Sequence, residues 1–264
     1  MESKLKICLF LFFCLFAGAS QTFAQIDEAI ISGFSSYSPR NQEVFAKETL
    51  YENGVFVGEK GKLKLGLFDH LVTIRFDQQL FLGWNWYEGY NWGVPPPTTD
   101  VFYAGFGANL GLGLHLKLGN FSIEPFSGVG TTAFVRNVYD PVDNGNWTNY
   151  DNQLEDWLTF FWQAGTEIEY QLSEKVRLFA NAGFRLGLYN SVAIPVLGYT
   201  LNPGGDWSAF GEVGIRLFSR LYASVLYEGL RFKGSNNDSP RPYYFYQSKS
   251  QSDFLGICVG FIIK

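Results

Sequence analysis

The sequence is poor in charge, histidine and cysteine, and each shortage excludes a class of protein. Charged residues make up 17% of the 264 residues, whereas an ordinary soluble domain has roughly 25%. A net charge of −5 argues against a nucleic-acid partner, because such partners are held through phosphate contacts. Two histidines and three cysteines are too few for a metal centre, and no calcium-loop spacing occurs. We therefore expect no metal and no cofactor.

Long apolar runs are also missing, which excludes a transmembrane helix. The N-terminal segment 1–24 has a weakly basic start, a short apolar stretch and then small and polar residues, as a secretory signal peptide does. We predict cleavage near Ala24 and one mature domain, 25–264. Cleavage removes two of the three cysteines and leaves Cys258, so no internal disulfide can form.

Aromatic residues and glycine are abundant, and both occur in segments that alternate in polarity. Within 176–191, the alternate residues from Val176 to Leu188 are all apolar, and the other set includes Arg177, Asn181, Arg185 and Tyr189. A period of two indicates a β-strand, and this strand is far longer than the ordinary 5–6 residues. The same pattern recurs in 61–68, 70–84, 101–118, 121–136, 158–172, 207–218, 221–230 and 254–263.

The connections between these segments alternate in length. Short gaps occur near 68–70, 118–120, 172–175 and 218–220, and long polar gaps occupy 85–100, 137–156, 192–206 and 234–252. Short turns at one end and long loops at the other are typical of an up-and-down transmembrane barrel. In hydrocarbon the sheet must close so that every backbone polar group is paired, and the apolar face then contacts lipid.

The number of strands depends on the N-terminal region. Eight segments follow from His70, and 61–68 adds another strand that needs a partner. That partner is either 27–36, which leaves a long external loop over 37–54, or 41–51, which uses Asn53 and Gly54 as a hairpin turn. We predict an all-β fold, a closed antiparallel up-and-down transmembrane β-barrel of ten strands, with eight strands as the alternative.

Charged and polar side chains on the inward face are predicted to line the lumen. Both signs occur at neighbouring positions, which favours ion pairs over a filter of one sign. The predicted lumen residues are Lys62, Lys64, Arg75, Asp77, His115, Lys117, Glu124, Arg136, Glu167, Glu169, Arg177, Arg185, Glu212, Arg216 and Glu228. The aromatic residues predicted to lie at the lipid headgroups are Trp84, Trp92, Trp157, Tyr170, Tyr189 and Trp207.

The last segment, "FLGICVGFIIK", has a glycine followed by alternating bulky apolar residues: Gly256, Val259 and Phe261. With the whole pattern of strands, it resembles the small outer-membrane β-barrels of diderm bacteria, the OmpA/OmpW-like and porin-family proteins. The chain departs from them by ending in Lys264 and by having Phe254 where a polar residue is usual. The resemblance implies an outer-membrane location, lipid contact and recognition of the last strand by the barrel-assembly machinery.

Three kinds of function fit such a barrel. A porin-like or structural barrel with a charged lumen and long external loops is the first, and any pore should be narrow because so few strands enclose little space. A surface adhesin or ligand-binding barrel that acts through loops such as 137–157 and 240–252 is the alternative. We disfavour a lipid-modifying enzyme: His115 could form a dyad with Ser122 or Glu124, but a lumen hydrogen-bond network explains it better. Small solutes or surface ligands are therefore the expected partners.

Overall fold

The computed structural model describes residues 25–45, 48–88, 98–138, 153–195, 198–235 and 249–263. The predicted signal peptide lies outside these residues, so its cleavage near Ala24 stays a prediction. Within the described ranges, no helix has the length and apolar character needed to cross a membrane.

Thirteen β-strands occur in the described ranges, and ten of them are long. In chain order they are β1 Gln25–Phe45, β2 Glu48–Leu67, β3 Val72–Glu88, β4 Thr98–Leu114, β5 Leu116–Leu118, β6 Phe121–Val138, β7 Gln153–Ser173, β8 Val176–Ile194, β9 Tyr199–Leu201, β10 Pro203–Gly205, β11 Trp207–Leu217, β12 Leu221–Ser235 and β13 Lys249–Ile262. Except for β11, which has 11 residues, the long strands exceed the 9–11 residues that cross a bilayer, so the sheet continues beyond the membrane on its outer side.

The ten long strands pair antiparallel with their neighbours in the chain, and the last one returns to the first. Gly33 of β1 lies opposite Val259 of β13, and β13 also pairs with β12. The short β5 continues the pairing of β4 with β6, whereas β9 and β10 pair with β8 and β12. The prediction of a closed ten-stranded barrel is confirmed, and the eight-strand alternative is wrong.

The first hairpin includes both segments, 27–36 and 41–51, that were predicted as alternative partners of 61–68. Ala29 lies opposite Leu63, so the segment 27–36 pairs with 61–68, but β1 continues to Phe45 and β2 begins at Glu48. The predicted loop over 37–54 is therefore wrong, and so is the predicted turn at Asn53 and Gly54. Both residues lie inside β2.

The surroundings of Gly54 explain why a glycine occurs here without a turn. A Cβ atom there would collide with the Trp84 carbonyl oxygen and the Asn85 side chain of β3. Glycine is thus required at this position because two backbones approach closely, and not because a turn needs its conformational freedom.

The predicted short turns all lie at one end of the barrel, next to Gln25 and Ile262. Phe68, Asp69 and His70 have φ values of 50°, 55° and 67°, which lets β2 reverse tightly into β3. The outer ends continue further than predicted, since β7 already begins at Gln153. We call the end with the short turns the periplasmic end.

Most of the outward face is apolar. Leu112, Phe184 and Val213, from three different strands, are 61%, 60% and 63% exposed. Such exposure would be unfavourable in water and is stable when the surrounding solvent is lipid. Trp84, Tyr170 and Trp207 are also exposed on this face, as predicted for interfacial aromatic residues.

Tyr189 takes an exposed outward position, as predicted, but only because of a bulge, whereas Trp157 departs from the prediction. Phe160 lies opposite Tyr189 but Phe161 lies opposite Gly187, so β8 contains a bulge at Leu188. The extra residue moves Tyr189 from the inward face, which strict alternation would assign to it, to the outward face, because a bulge shifts the alternation by one. Trp157 is buried in the lumen rather than at the headgroups, since it shares the inward face of β7 with Phe161. Trp92 lies outside the described residues.

Replacing Leu112 by Arg should prevent assembly of the barrel. A cation that faces lipid near the membrane centre costs about 2–4 kcal/mol. The measurement is the heat-modifiable shift of the folded barrel on an unheated gel, with Leu112→Val as the matched control. A normal amount of folded Leu112→Arg barrel would show that this face does not contact lipid.

Candidate functional site in the lumen

The lumen is divided into three levels by the side chains that point into it. A cluster of ion pairs lies towards the periplasmic end, a polar chamber lies in the middle, and a chamber lined by aromatic rings lies towards the outer end. We call the first the plug, defined by Glu28, Lys64, Arg75, Glu124, Glu167, Glu169 and Arg216.

Glu167 of β7 is the centre of the plug. Its carboxylate lies 2.6 Å from Lys64 Nζ of β2, 2.9 Å from Arg75 Nη2 of β3 and 3.5 Å from Arg216 Nη2 of β11. β2 and β3 are neighbours in the sheet, and they lie across the ring from β7 and β11, so the ion pairs bridge separate walls of the barrel. The bore is therefore filled at this level.

Glu124 of β6 is the second buried carboxylate of the plug. It accepts hydrogen bonds from Arg75 Nη1 at 3.0 Å, Thr73 Oγ1 at 3.1 Å and Lys64 Nζ at 3.3 Å. His115 Nδ1 lies 3.4 Å from the same carboxylate. Glu124 is thus already engaged by two cations and a hydroxyl, which leaves His115 at the edge of a structural network.

The plug is completed at its periplasmic side by Arg216. This guanidinium forms an ion pair with Glu169 and lies 3.1 Å from Glu28 of β1. Glu169 also pairs with Arg177 at 3.2 Å, and the Arg177 side chain is 45% exposed at the rim. The plug has four carboxylates and three cations. Arg177 at the rim supplies a fourth cation.

The middle chamber has about 710 Å³ of empty space, a volume that includes space open to solvent. On one wall, Lys62 Nζ lies 2.5 Å from Glu212, which also accepts hydrogen bonds from the hydroxyls of Tyr222 and Ser224. On another wall, Arg185 pairs with Glu228.

Aromatic rings hold the Arg185 guanidinium in place. Arg185 lies 5.0 Å from the Phe161 ring centroid and 4.9 Å from that of Phe210, so it is enclosed by two rings. Asn109 and Asn181 also line the middle chamber, and each has a buried side-chain oxygen without a hydrogen-bond partner among the described residues. Water or a polar solute group in the chamber would satisfy these oxygens.

The outer chamber is larger and its surface is mainly apolar, with about 1030 Å³ of empty space that includes space open to solvent. Phe134 and Trp157 stack with ring centroids 5.5 Å apart and planes 8° apart. The other rings on its wall are Phe34, Phe56, Phe81, Tyr103, Phe232 and Phe254. Five residues line both chambers and mark where they join: Lys60, Gln79, Thr132, Leu226 and Glu228.

One ion-pair group lies in the wall of the outer chamber. Arg136 Nη1 is 3.0 Å from both carboxylate oxygens of Glu155, and Arg136 Nη2 pairs with Glu52. Tyr103 donates a hydrogen bond to Glu52, and Trp157 Nε1 donates to Glu155 at 3.0 Å. The polar groups thus satisfy one another at the wall and leave the aromatic faces to the cavity.

The predicted lumen residues are distributed over all three levels. Asp77 and Lys62 line the middle chamber, and Lys117 is exposed near the turn at 118–120. Sequence reasoning missed Glu28, Glu52, Lys60 and Glu155. Glu155 lies in a segment that was predicted to be a loop. Glu28 and Glu52 lie in the N-terminal region, where the partner of the strand 61–68 was undecided. Lys60 immediately precedes that strand.

The three predicted assembly residues lie on both faces of β13. Val259 and Phe261 are each 64% exposed on the lipid side. Gly256 faces inward, and a Cβ there would lie 2.6 Å from Ser36 Cβ and 2.7 Å from the Ser35 carbonyl oxygen. Their recognition by the assembly machinery stays a prediction.

No protein-family model matches the sequence, and no curated protein matches it. Among solved structures, the outer-membrane protease OmpT from Escherichia coli is similar at 10% identity, over 92% of this chain and 96% of that chain, with a TM-score of 0.45. The translocator domain of the autotransporter NalP from Neisseria meningitidis has 9% identity, coverage of 98% and 97%, and a TM-score of 0.40. Neisserial surface protein A has 12% identity, coverage of 88% and 97%, and a TM-score of 0.34.

The geometry of the chain itself defines its class. The sheet is closed, its outward face is apolar, and its short turns all lie at one end. A closed sheet with an apolar exterior satisfies the two requirements that hydrocarbon imposes on a spanning chain. The chain is a ten-stranded bacterial outer-membrane β-barrel.

The substitution Glu167→Gln should destabilise the folded barrel markedly. It leaves three buried cations with one carboxylate fewer, and breaking a buried ion pair costs about 3–5 kcal/mol. The matched control is Arg177→Gln, which removes a half-exposed ion pair worth about 0–1 kcal/mol. Urea unfolding of the two variants in the same detergent measures the difference. Equal unfolding free energies would mean that water fills the plug and screens its charges.

Proposed function

We propose that this barrel is a narrow, porin-like protein that takes small, largely apolar molecules from the outer side into the outer chamber. The observation that supports the proposal is the position of the aromatic chamber above a plug of paired charges. Ligand sites are usually concave and apolar with a few polar groups, and the outer chamber has this character. The plug limits which molecules pass from the outer chamber towards the periplasm.

The plug argues for a small or closed conductance. Its ion pairs join β2, β3, β7 and β11 across the bore, and its central carboxylate, Glu167, is 3% exposed. Ten strands enclose little more than the space their own side chains fill, whereas wide aqueous channels have 16–18 strands. A solute that reaches the periplasm must therefore displace or rearrange these side chains.

The double variant Arg75→Ala/Glu167→Ala should increase ion conductance several-fold in planar bilayers. It removes a cation and an anion together, so the net charge of the lumen is unchanged while the bore widens. The matched control is Arg136→Ala/Glu155→Ala, which removes an ion pair from the wall of the outer chamber. We expect the wild-type barrel and the control to be nearly silent, with folding checked by heat-modifiability.

Either of two results would refute the closed plug. One is a large, steady conductance of the wild-type barrel. The other is a folded Arg75→Ala/Glu167→Ala barrel that conducts no better than the control.

Binding in the outer chamber is tested separately with 1-aminoanthracene, a neutral aromatic probe whose fluorescence rises in apolar sites. Leu230 lines the chamber, and Leu230→Trp should lower the affinity for the probe several-fold because the indole fills part of the cavity. Leu255→Trp adds the same ring to the outward face and should leave the affinity unchanged. Equal affinities for the two variants would place probe binding on the detergent-covered surface and would contradict the proposal.

Two other functions have less support. Ligand binding through the external loops concerns residues that lie largely outside the described ranges, so it stays a prediction. Catalysis by His115 would need a free carboxylate beside it, whereas Glu124 is already bound by Arg75, Lys64 and Thr73. These contacts favour a structural role for the histidine.

A further inference from the structure

A polar patch interrupts the lipid-facing surface of β1, β2 and β3. Its central residues are Glu59 and Gln78, and both side chains are exposed on the outward face. Apolar residues flank Glu59 along β2, with Val57 above it and Leu63 below it. We define the polar patch as Gly33, Ser35, Glu59, Gly61 and Gln78.

Glu59 is an unfavourable residue for a surface that meets only lipid. It has no ion pair or hydrogen bond within the described ranges, and ionisable residues that face hydrocarbon are costly and usually functional. Arg231 and Asp253 also belong to the outward set of their strands, but they pair with each other at 2.6 Å. A partner outside the barrel would relieve the cost of exposing Glu59.

Two glycines shape the surface around the carboxylate. Gly33 lies opposite Glu59 on β1, and a Cβ there would meet only the Gly58 carbonyl oxygen, at 3.9 Å. Gly61 lies opposite Gln78, whose amide nitrogen would be 3.1 Å from a Cβ at Gly61. Gly33 therefore leaves the surface low beside Glu59, whereas Gly61 makes room for the Gln78 side chain to lie across β2. Small residues let two membrane surfaces approach closely.

The two polar side chains lie at similar heights in the membrane. Glu59 is eight residues from the periplasmic end of β2 at Leu67 (67 − 59), and Gln78 is six residues from the start of β3 at Val72 (78 − 72). Two barrels in one membrane point the same way, so a two-fold axis between them runs along the membrane normal and preserves height. Such an axis brings each Glu59 next to a second Gln78.

We propose that the polar patch is the interface of a homodimer with this two-fold symmetry. Each Glu59 carboxylate accepts a hydrogen bond from the Gln78 amide of the second copy, so the axis makes this contact twice. An isologous interface requires such self-complementarity, in which residue i contacts j and j contacts i. A different protein would need to bring its own donor at this height, whereas a second copy already has one.

Cysteine cross-linking in the native outer membrane tests the arrangement. Leu80 lies opposite Glu59, next to the proposed axis, and is 52% exposed, so Leu80→Cys should give a covalent dimer with a short bis-maleimide. Phe184→Cys, on β8 across the barrel, is the matched control and should stay monomeric. Cys258 is buried and does not compete.

The chemistry of the contact is tested by two changes at Glu59 in the Leu80→Cys background. Glu59→Leu removes both hydrogen bonds and should weaken dimerisation by about tenfold. Glu59→Gln keeps an oxygen acceptor and should retain most of the dimer. The Glu59→Leu barrel should still fold, as judged by heat-modifiability, because leucine suits a surface that faces lipid.

Three outcomes would overturn the proposal. One is the absence of a cross-linked dimer of folded Leu80→Cys in the native membrane. Another is a cross-linked product of a different mass, which would identify a different protein as the partner. The third is an equal yield of cross-linked dimer from Leu80→Cys barrels with and without the Glu59→Leu change.

Discussion

The need to pair every backbone amide and carbonyl in hydrocarbon is the constraint on which the rest of this structure depends. An open sheet would leave two unpaired edges in lipid, so the first and last strands must meet, and β1 pairs with β13 along most of its length. Closure turns one face of every strand towards lipid and the other towards an enclosed space. The apolar exterior, represented by Leu112 and Val259, and the charged interior are both consequences of that single requirement.

A narrow enclosed space must then be filled or hydrated. The chain fills its periplasmic half with Glu167, Glu124 and the cations around them, where each carboxylate has several donors. Buried charges are tolerated only when they are paired and hydrogen-bonded, and hydrogen bonds in such a network reinforce one another. The outer half is enclosed instead by aromatic rings such as Phe134 and Trp157, which leave a cavity. This difference between the halves underlies the proposed uptake from outside into a site that is closed below.

The exterior follows the same rule, and the polar patch on β1, β2 and β3 departs from it. Where lipid is the only neighbour, outward residues are apolar, so the exposed Glu59 and Gln78 indicate a neighbour with hydrogen-bonding groups. The proposed dimer supplies those groups from a second copy without altering the lumen. The interior and exterior proposals therefore rest on separate residues and can fail independently.

Much of this architecture could be predicted from alternation alone, because a strand assigns its side chains to two faces by position. Arg75, Arg185 and Leu112 needed no tertiary information for their assignment to a face. Local irregularities could not be read in the same way: the bulge at Leu188 reversed Tyr189, and the close approach of β3 made Gly54 a strand residue rather than a turn. Facing and the end that carries the short turns follow from the order of residues along the chain, since both depend on neighbouring residues. Which charges meet, as Glu167 does with Lys64, depends on the tertiary structure, because their strands are distant in the chain and face each other only after the barrel closes.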